Sequence, residues 1–174
     1  MAVHQIIEIP DPRLRTISAP VAEVTDATRA LVVDMFDSMY AARGIGLAAI
    51  QIGVPERVLV IDLQEDGEDG KPVKAPRVFI NPEIVETAPE VNVYTEGCLS
   101  VPDQYADVER PATCRVRWLD EQGDAHDEQL DGLLATCIQH EMDHLEGIVF
   151  IDHLSRLKRE MVLKKLAKAR KAAA

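Results

Sequence analysis

The first half of the chain holds one stretch in which apolar residues recur at helical spacing. An amphipathic helix is predicted over 27–43, with Thr25 or Asp26 as its N-cap and Gly44 at its end. Its apolar face is made by Leu31, Val32, Met35, Phe36 and Met39. The preceding residues are broken by prolines, so that only a short strand over 6–9 is expected there.

The middle of the chain alternates short apolar runs with turn-forming residues, which is typical of β-structure. Asn81-Pro82 is expected to stop one of these strands, and the polar stretch 64–76 is expected to be a loop. The predicted strands cover 57–63, 77–80, 84–85, 91–94, 113–119 and 125–130. A strand with polar residues at every second position, as in 113–119, is exposed to water on one face.

Two further helices are predicted in the last third of the chain. One begins after Asp131, its N-cap, and ends at Gly147. The other, over 154–171, places Leu157, Met161 and Leu166 among basic residues. A basic amphipathic helix fits a solvated surface, a membrane surface or an acidic partner.

The helix that follows Asp131 carries the motif His140-Glu141-Met142-Asp143-His144. Histidines four apart lie on one helical face and can bind a single metal ion, and a glutamate between them can reach a metal-bound water. We therefore predict an α+β fold in which antiparallel β-sheets surround this central helix, followed by a C-terminal helix. With no linker or repeat visible, residues 1–174 are predicted to form a single catalytic domain, in which 154–174 are the basic helix.

The composition and charge exclude several classes of protein. Residues 1–152 hold 11 basic and 29 acidic residues, a charge of −18, whereas the remainder holds eight basic residues and one acid, +7. The overall charge of −11 argues against a protein built wholly for nucleic acid. Three scattered cysteines do not make a disulfide framework, and neither a signal peptide nor a transmembrane run is visible. A cytoplasmic protein without membrane contact is expected.

The stretch from Gly44 to Gly53 contains the pattern G-x-G-x-x-A, which also occurs in dinucleotide-binding proteins. That fingerprint needs a strand before its first glycine and a long helix after its last. Here a helix precedes Gly44 and Pro55 follows too soon, so we reject it. Gln51 is the one amide in this apolar run, and a hydrogen bond to nearby backbone is its simplest explanation.

A catalytic metal held by His140 and His144 needs a third protein ligand. The position that a third histidine would take in one class of metallopeptidase is occupied by Phe150, and Glu160 lies in the basic tail. Cys137 is about 10 Å along the helix axis from His144. Cys114 shares a strand face with apolar residues and is expected in the core. Cys98, which follows a glycine outside any periodic segment, is the best remaining sulfur.

Three stretches together resemble the motifs of the peptide deformylase family. They are Gly44-Ile45-Gly46-Leu47-Ala48-Ala49-Ile50-Gln51, Glu96-Gly97-Cys98-Leu99-Ser100 and Gln139-His140-Glu141-Met142-Asp143-His144, in the order of the family. The resemblance extends from Ile9 to Ser155 and shows no departure within a motif. Outside the motifs, Tyr105 stands where some bacterial members have an arginine, so its role is open.

The resemblance implies hydrolysis of the formyl group from the N-formylmethionine of nascent proteins, with release of formate. It implies that Cys98, His140 and His144 hold the metal ion, while Glu141 takes a proton from the attacking water and passes it to the departing amine. It further implies an oxyanion hole made by the backbone N–H of Leu99 and the side-chain amide of Gln51.

The resemblance also implies a methionine pocket and a backbone contact for the substrate. The pocket is expected from Ile45, Leu133, Thr136 and Cys137, and the substrate main chain is expected on Gly46. Each pocket residue could equally be plain core. Asp143 is a candidate to accept a hydrogen bond from a ligating histidine, and a solvated helix acid is an equal interpretation of it. Glu96 is expected to pair with a basic residue and fix the Cys98 loop, with a purely structural salt bridge as the alternative.

One divalent metal ion is expected, but the ligand residues and the family resemblance favour different metals. Ligand type and spacing make zinc the default, with Ni²⁺ or Co²⁺ also suited, whereas the family commonly uses Fe²⁺. The expected partners are N-formyl-Met nascent peptides and, as the resemblance implies, the ribosome, bound through the C-terminal helix of a monomer. The alternatives are an H-E-x-x-H metallopeptidase and a non-enzymatic ribosome- or metal-binding module.

Overall fold

Seven strands and three α-helices make up the structure, a computed structural model that describes residues 2–174. The helices are α1 (Asp26–Ala41), α2 (Gly132–Leu145) and α3 (Arg156–Ala173). The strands are β1 (Gly46–Ala48), β2 (Val58–Ile61), β3 (Arg77–Thr87), β4 (Val91–Cys98), β5 (Val101–Pro111), β6 (Cys114–Leu119) and β7 (Ala125–Leu130). Single 3₁₀ turns occur at Pro12–Arg15, Ala49–Ile52 and Phe150–His153.

The strands form two antiparallel sheets on either side of α2. The larger sheet has the order β1-β2-β3-β6-β7, and the smaller is the hairpin β4-β5. Helix α2 contacts β1 and β2 of the first sheet and β5 of the second. The α+β prediction, with antiparallel sheets around a central helix and a further helix at the C-terminal end, is therefore confirmed.

The core consists of three groups of buried side chains. One group fills the space between the large sheet and α2 and includes Phe79, Trp118, Ile138 and Leu145. Cys114 belongs to it and is fully buried, as its strand pattern predicted. The other groups pack α1 on β1 and β2, and α3 on β5. Among residues 2–174, no helix has the length and apolar character needed to span a membrane.

Strand β3 runs through Asn81-Pro82, where the sequence predicted its end. The pairing with β6 shifts register between Ile80 and Glu83, so the proline occupies an irregularity rather than a regular ladder position. Asn81 has a φ of 50°, and its side chain exchanges two hydrogen bonds with the backbone of Val21. These contacts with a distant segment stabilise a conformation that local sequence disfavours.

The hairpin β4-β5 is the largest element that the sequence patterns predicted only in part, because 91–94 was predicted as a strand and β5 was not. Strand β4 continues beyond Tyr94 as far as Cys98, and β5 pairs with it along almost its whole length. Burial alternates along both strands, but residue type does not follow it. Apolar side chains are exposed at Val91, Val93 and Tyr105, and charged side chains are buried at Glu96 and Arg110. Cys98 therefore lies at the end of a strand rather than in an open loop.

The N-terminal segment 6–9 was predicted as a strand but joins neither sheet. Its backbone N–H groups donate to the carbonyls of Gln51 and Ser100, from residues 7 and 9 respectively. Because these two carbonyls belong to turns, the segment finds no continuous strand edge to pair with. The predicted helices exist, with ends that differ by about two residues from the predicted ones.

Candidate metal centre

Three side chains from two elements converge beneath the β4-β5 hairpin. His140 and His144 lie one turn apart on α2, with ring centres 5.2 Å apart. Cys98, at the end of β4, places its Sγ 3.4 Å from Nε2 of His144. The ligand atoms of the three residues all lie within 4.8 Å of one another. The third ligand that the sequence favoured is thus the one that the fold brings to the histidine pair.

The orientation of His140 is fixed by a buried carboxylate. Its Nδ1 donates to Oε1 of Glu96 over 2.9 Å, which leaves Nε2 facing Cys98 and His144. Arg110 on β5 binds the same carboxylate through two hydrogen bonds of 2.7 and 3.0 Å. Burial raises the pKa of Glu96, but the hydrogen bonds from His140 and Arg110 outweigh it and lower this pKa below its usual value. Glu96 therefore stays ionised and holds the imidazole.

Asp143 does not hold a ligating histidine, contrary to the sequence-based expectation. Its Oδ2 accepts hydrogen bonds from Arg110 at 2.9 Å and from His153 at 2.7 Å. The reason is geometric: the free nitrogen of His140 points toward β4, where Glu96 lies, whereas Asp143 faces Arg110. The expectation that Glu96 pairs with a basic residue beside Cys98 agrees with the structure.

The donor set fits a divalent metal ion. One thiolate and two imidazoles suit Fe²⁺, Co²⁺, Ni²⁺ and Zn²⁺, and three protein ligands leave a position for water or substrate. His144 is fully buried, and this burial lowers its pKa well below the ordinary value. It is therefore neutral, as a metal ligand must be. Its Nδ1 has no hydrogen-bond partner among the described residues. The buried ring can therefore gain a stabilising polar contact only through Nε2.

Glu141 points into the same space without joining the ligand cluster. It is 5% exposed, its Oε1 lies 3.9 Å from Nε2 of His140, and its Oε2 has no partner within residues 2–174. Burial raises the pKa of Glu141 to about 7. A carboxyl group with a pKa near neutrality and a free oxygen can both accept and return a proton.

Gln51 approaches Cys98 from the 3₁₀ turn Ala49–Ile52. Its Oε1 accepts the backbone N–H of Ala48 at 2.9 Å, which is the local hydrogen bond that the simplest interpretation expected. Its Nε2 donates to Oγ of Ser100 at 3.0 Å and lies 3.6 Å from Sγ of Cys98. The amide is thus fixed with one N–H directed at the metal centre. Leu99 lies in the turn between Cys98 and Ser100.

These groups open into a cavity of about 770 Å³. The sequence-predicted residues on its wall are Ile45, Gly46, Gln51, Cys98, Leu99, Leu133, Thr136, Cys137, His140 and Glu141. His144 is the exception, because it is buried beneath the wall. Tyr105 lies at the mouth, 69% exposed, and its ring covers the backbone of Gly97 so closely that a Cβ there would come within 2.6 Å.

The rejected ligand candidates lie in settings that explain their rejection. Burial and the charge of Glu141 raise the pKa of Cys137 to about 12, so it remains a thiol. Phe150 is buried and stacks on His140, with ring centres 6.1 Å apart, so it packs against one of the two clustered histidines. Glu160 pairs with Arg156 on α3.

Sequence reasoning missed Arg110 and Ser100. Arg110 is 5% exposed and Ser100 is fully buried, although both residue types are usually on the surface. The sequence holds one signal that Arg110 is buried. It lies two residues after the apolar Val108, so that both side chains point to the same side of a strand. That signal required β5 to be recognised first.

Comparisons with known proteins show the family of the chain. The family model described as polypeptide deformylase matches residues 3–160. A peptide deformylase of Rhizorhabdus wittichii is 70% identical over 173 residues, covering 99% of this chain and 98% of the relative. A peptide deformylase of Zymomonas mobilis is 58% identical over 171 residues, covering 98% and 97% of the two chains.

Solved structures give the same result. The crystal structure of peptide deformylase from Ehrlichia chaffeensis superposes with a TM-score of 0.92 at 40% identity, covering 99% of both chains. One from Legionella pneumophila gives a TM-score of 0.89 at 44% identity, covering 99% of this chain and 98% of that one. Both matches cover the hairpin, α2 and the cavity between them. The chain therefore belongs to the peptide deformylase family, whose members are metal-binding hydrolases that remove the N-formyl group from nascent proteins.

Proposed function

We propose that Cys98, His140 and His144 hold one divalent metal ion and that Glu141 is the catalytic base of deformylation. The observation that carries this proposal is the unpartnered Oε2 of Glu141 in the cavity onto which Cys98 and His140 open. When bound, the ion would polarise the formyl oxygen and lower the pKa of the attacking water. Residues 1–174 would act as one catalytic domain.

The positions of the side chains support the following course of the reaction. Glu141 accepts a proton as water adds to the formyl carbon, and the formyl oxygen gains negative charge. The N–H of Gln51 directed toward Cys98 and the backbone N–H of Leu99 would donate to this oxygen. Glu141 then returns the proton to the amine nitrogen as the carbon–nitrogen bond breaks, which releases formate and a peptide with a free N-terminus.

Substrate selection is proposed to use the wall of the cavity opposite the hairpin. Leu133, Thr136 and Cys137 on the first turns of α2, together with Ile45, would surround the methionine side chain. Gly46 would bind the substrate backbone, since it lacks a side chain at a point where Glu141 leaves no room for one.

We propose Fe²⁺ as the metal in the cell, on the resemblance to the family and on the mixed thiolate and imidazole ligands. Anaerobically purified protein is expected to release formate from N-formyl-Met-Ala-Ser and to contain about one iron per chain. Because Fe²⁺ and Cys98 are both oxidised by air, this activity should decay on aeration, whereas protein reconstituted with Ni²⁺ should keep its activity for longer. Undiminished activity of the iron protein in air would contradict the iron assignment, and absence of formate from fully metallated protein would contradict the reaction.

We also propose that the protein works as a monomer in the cytoplasm and that α3 docks on the ribosome. Val162 and Leu166 attach α3 to the body of the protein, which leaves its lysines exposed. Reversal of three of these charges, in Lys164→Glu, Lys165→Glu and Lys168→Glu combined, should abolish cosedimentation with ribosomes at low salt because ribosomal RNA is anionic.

Formate release by this triple variant should be unchanged, since the three lysines do not line the cavity. Lys71→Glu, an exposed charge reversal in the loop 64–76, serves as the control and should cosediment as the wild type does. Cosedimentation that survives the triple change would rule out docking through α3.

A further inference from the structure

The fully buried carboxylate Asp62, directly after β2, belongs to no part of the site described above. Its Oδ2 accepts a hydrogen bond from the hydroxyl group of Tyr40 at 2.5 Å. Its Oδ1 accepts the backbone N–H groups of Gln64 at 3.1 Å and Ala75 at 3.0 Å. Buried carboxylates occur where several donors compensate for lost water, so Asp62 fixes the last turn of α1 and both ends of the loop 64–76 relative to β2.

The charge of Asp62 is maintained by its surroundings. Burial raises the pKa of the carboxyl group, but the hydrogen bonds from Tyr40, Ala75 and Gln64 and the positive charge of Lys74 outweigh it and lower this pKa below the usual value. Lys74 also lies over the Tyr40 ring, with Nζ 4.2 Å from the ring centre. The acceptor is therefore an anion, and a hydrogen bond to an anion is stronger than one between neutral groups.

The same residues hold the backbone of Gly44, Ile45 and Gly46, which we call the 44–46 segment. The N–H of Asp62 donates to the carbonyl of Ile45 at 2.8 Å. The side-chain amide of Gln64 donates to the carbonyl of Gly44 at 3.2 Å. Two consecutive carbonyls of the segment are thus held by residues whose own positions depend on the Asp62 carboxylate.

The 44–46 segment has almost no free space on its inner side. A Cβ added to Gly46 would lie 2.6 Å from Oε1 of Glu141, and one added to Gly44 would lie 2.6 Å from Cδ1 of Leu99. The segment is therefore packed tightly against both residues.

We infer that Tyr40 and Asp62 are positioning residues that hold the 44–46 segment in register for the substrate peptide, with Gln64 as the direct link to Gly44. The inference rests on the proposed function in one respect, namely that the substrate lies along this segment. Neither Tyr40 nor Asp62 touches the reacting atoms, so their contribution should appear in substrate binding rather than in the chemical step.

Two variants test the network at different points. Tyr40→Phe removes only the hydroxyl group, and Gln64→Met removes the donor to Gly44 without touching the Asp62 carboxylate. For formate release from N-formyl-Met-Ala-Ser by the metallated enzyme, each is expected to raise KM about tenfold, with kcat changed by less than about threefold. The metal content should equal that of the wild type.

Val32→Ala is the matched control. Val32 is a buried core residue of α1, two turns before Tyr40, and its truncation destabilises the same helix without altering a hydrogen bond of the network. It should lower the melting temperature at least as much as Tyr40→Phe and leave KM unchanged. An equal rise in KM in Val32→Ala would overturn the inference, because general loosening of α1 would then explain the effect.

The remaining outcomes are also decisive. A folded Tyr40→Phe protein with wild-type KM overturns the inference; if that variant does not fold, a wild-type KM in Gln64→Met overturns it alone. Ile45→Ala separates this result from the proposed function. If Ile45→Ala raises KM and the network variants do not, only the inference fails. If Ile45→Ala leaves KM unchanged, the proposed contact between the substrate and the 44–46 segment fails and the inference fails with it, whereas formate release would still support deformylation.

Discussion

Replacement of Glu141 by glutamine is expected to lower kcat for N-formyl-Met-Ala-Ser by a factor of about 10²–10⁴ while the bound metal is retained. The amide has the size and shape of the carboxylate but cannot accept the proton of water. Glu141 is not among the three clustered ligand residues, so metal content should stay at the wild-type level. KM should change little, because the substrate contacts proposed above do not involve this side chain.

The control for Glu141→Gln is Glu146→Gln. Glu146 directly follows α2 and pairs with Arg57 on the surface at 2.7 Å, so its replacement removes a carboxylate from the same part of the chain without reaching the cavity. It should leave kcat within about twofold of the wild type, as expected for an exposed ion pair. A Glu141→Gln protein with full metal content and more than a tenth of wild-type kcat would disprove the role of general base.

Replacement of Gln51 by leucine is expected to lower kcat by a factor of about 10²–10³, the usual cost of losing one donor to an oxyanion. The side chain is 1% exposed, and leucine fills a similar volume, so the fold should persist. KM should rise much less than kcat falls, because the charge on the formyl oxygen develops only as the reaction proceeds.

The structure also offers a different role for Gln51, and the same variant distinguishes the two. Nε2 lies 3.6 Å from Sγ of Cys98 and 3.0 Å from Oγ of Ser100. In this alternative role, the amide orients the thiolate and does not contact the oxyanion. In that case Gln51→Leu would lose metal during dialysis, and kcat per bound metal would be unchanged. Ser100→Ala, which removes the neighbouring hydroxyl but keeps the Gln51 donor, should retain most of its kcat if Gln51 serves the oxyanion.

Local sequence was sufficient for elements in which the burial of one face dominates. The apolar spacing of α1 and α2 predicted both helices, because a helix repeats its buried face every three to four residues regardless of distant contacts. The strand β7 was predicted within its observed limits. In contrast, β5 was missed, because its stability comes from pairing with β4 and from Arg110, whose partners are Glu96 and Asp143.

Some residues of the candidate site are placed by local sequence, and others only by the fold. His140, Glu141 and His144 lie within five residues on one helix, so helical geometry alone places them together. Cys98 could be favoured from the sequence only by excluding other candidates and by the resemblance of three motifs. Its distance from the histidines is set by the hairpin, a contact over 46 residues of sequence.

The sequence by itself thus determined the helical His-Glu-x-x-His motif, the candidate for its general base and the family, since each depends on residues that are adjacent in the chain or on motifs in a fixed order. Only the tertiary structure decided that Glu96 rather than Asp143 holds His140, that Arg110 neutralises Glu96, and that Asp62 supports the 44–46 segment. The physical reason is that a buried charge is stabilised by whichever partners the fold places around it, and those partners come from distant parts of the chain.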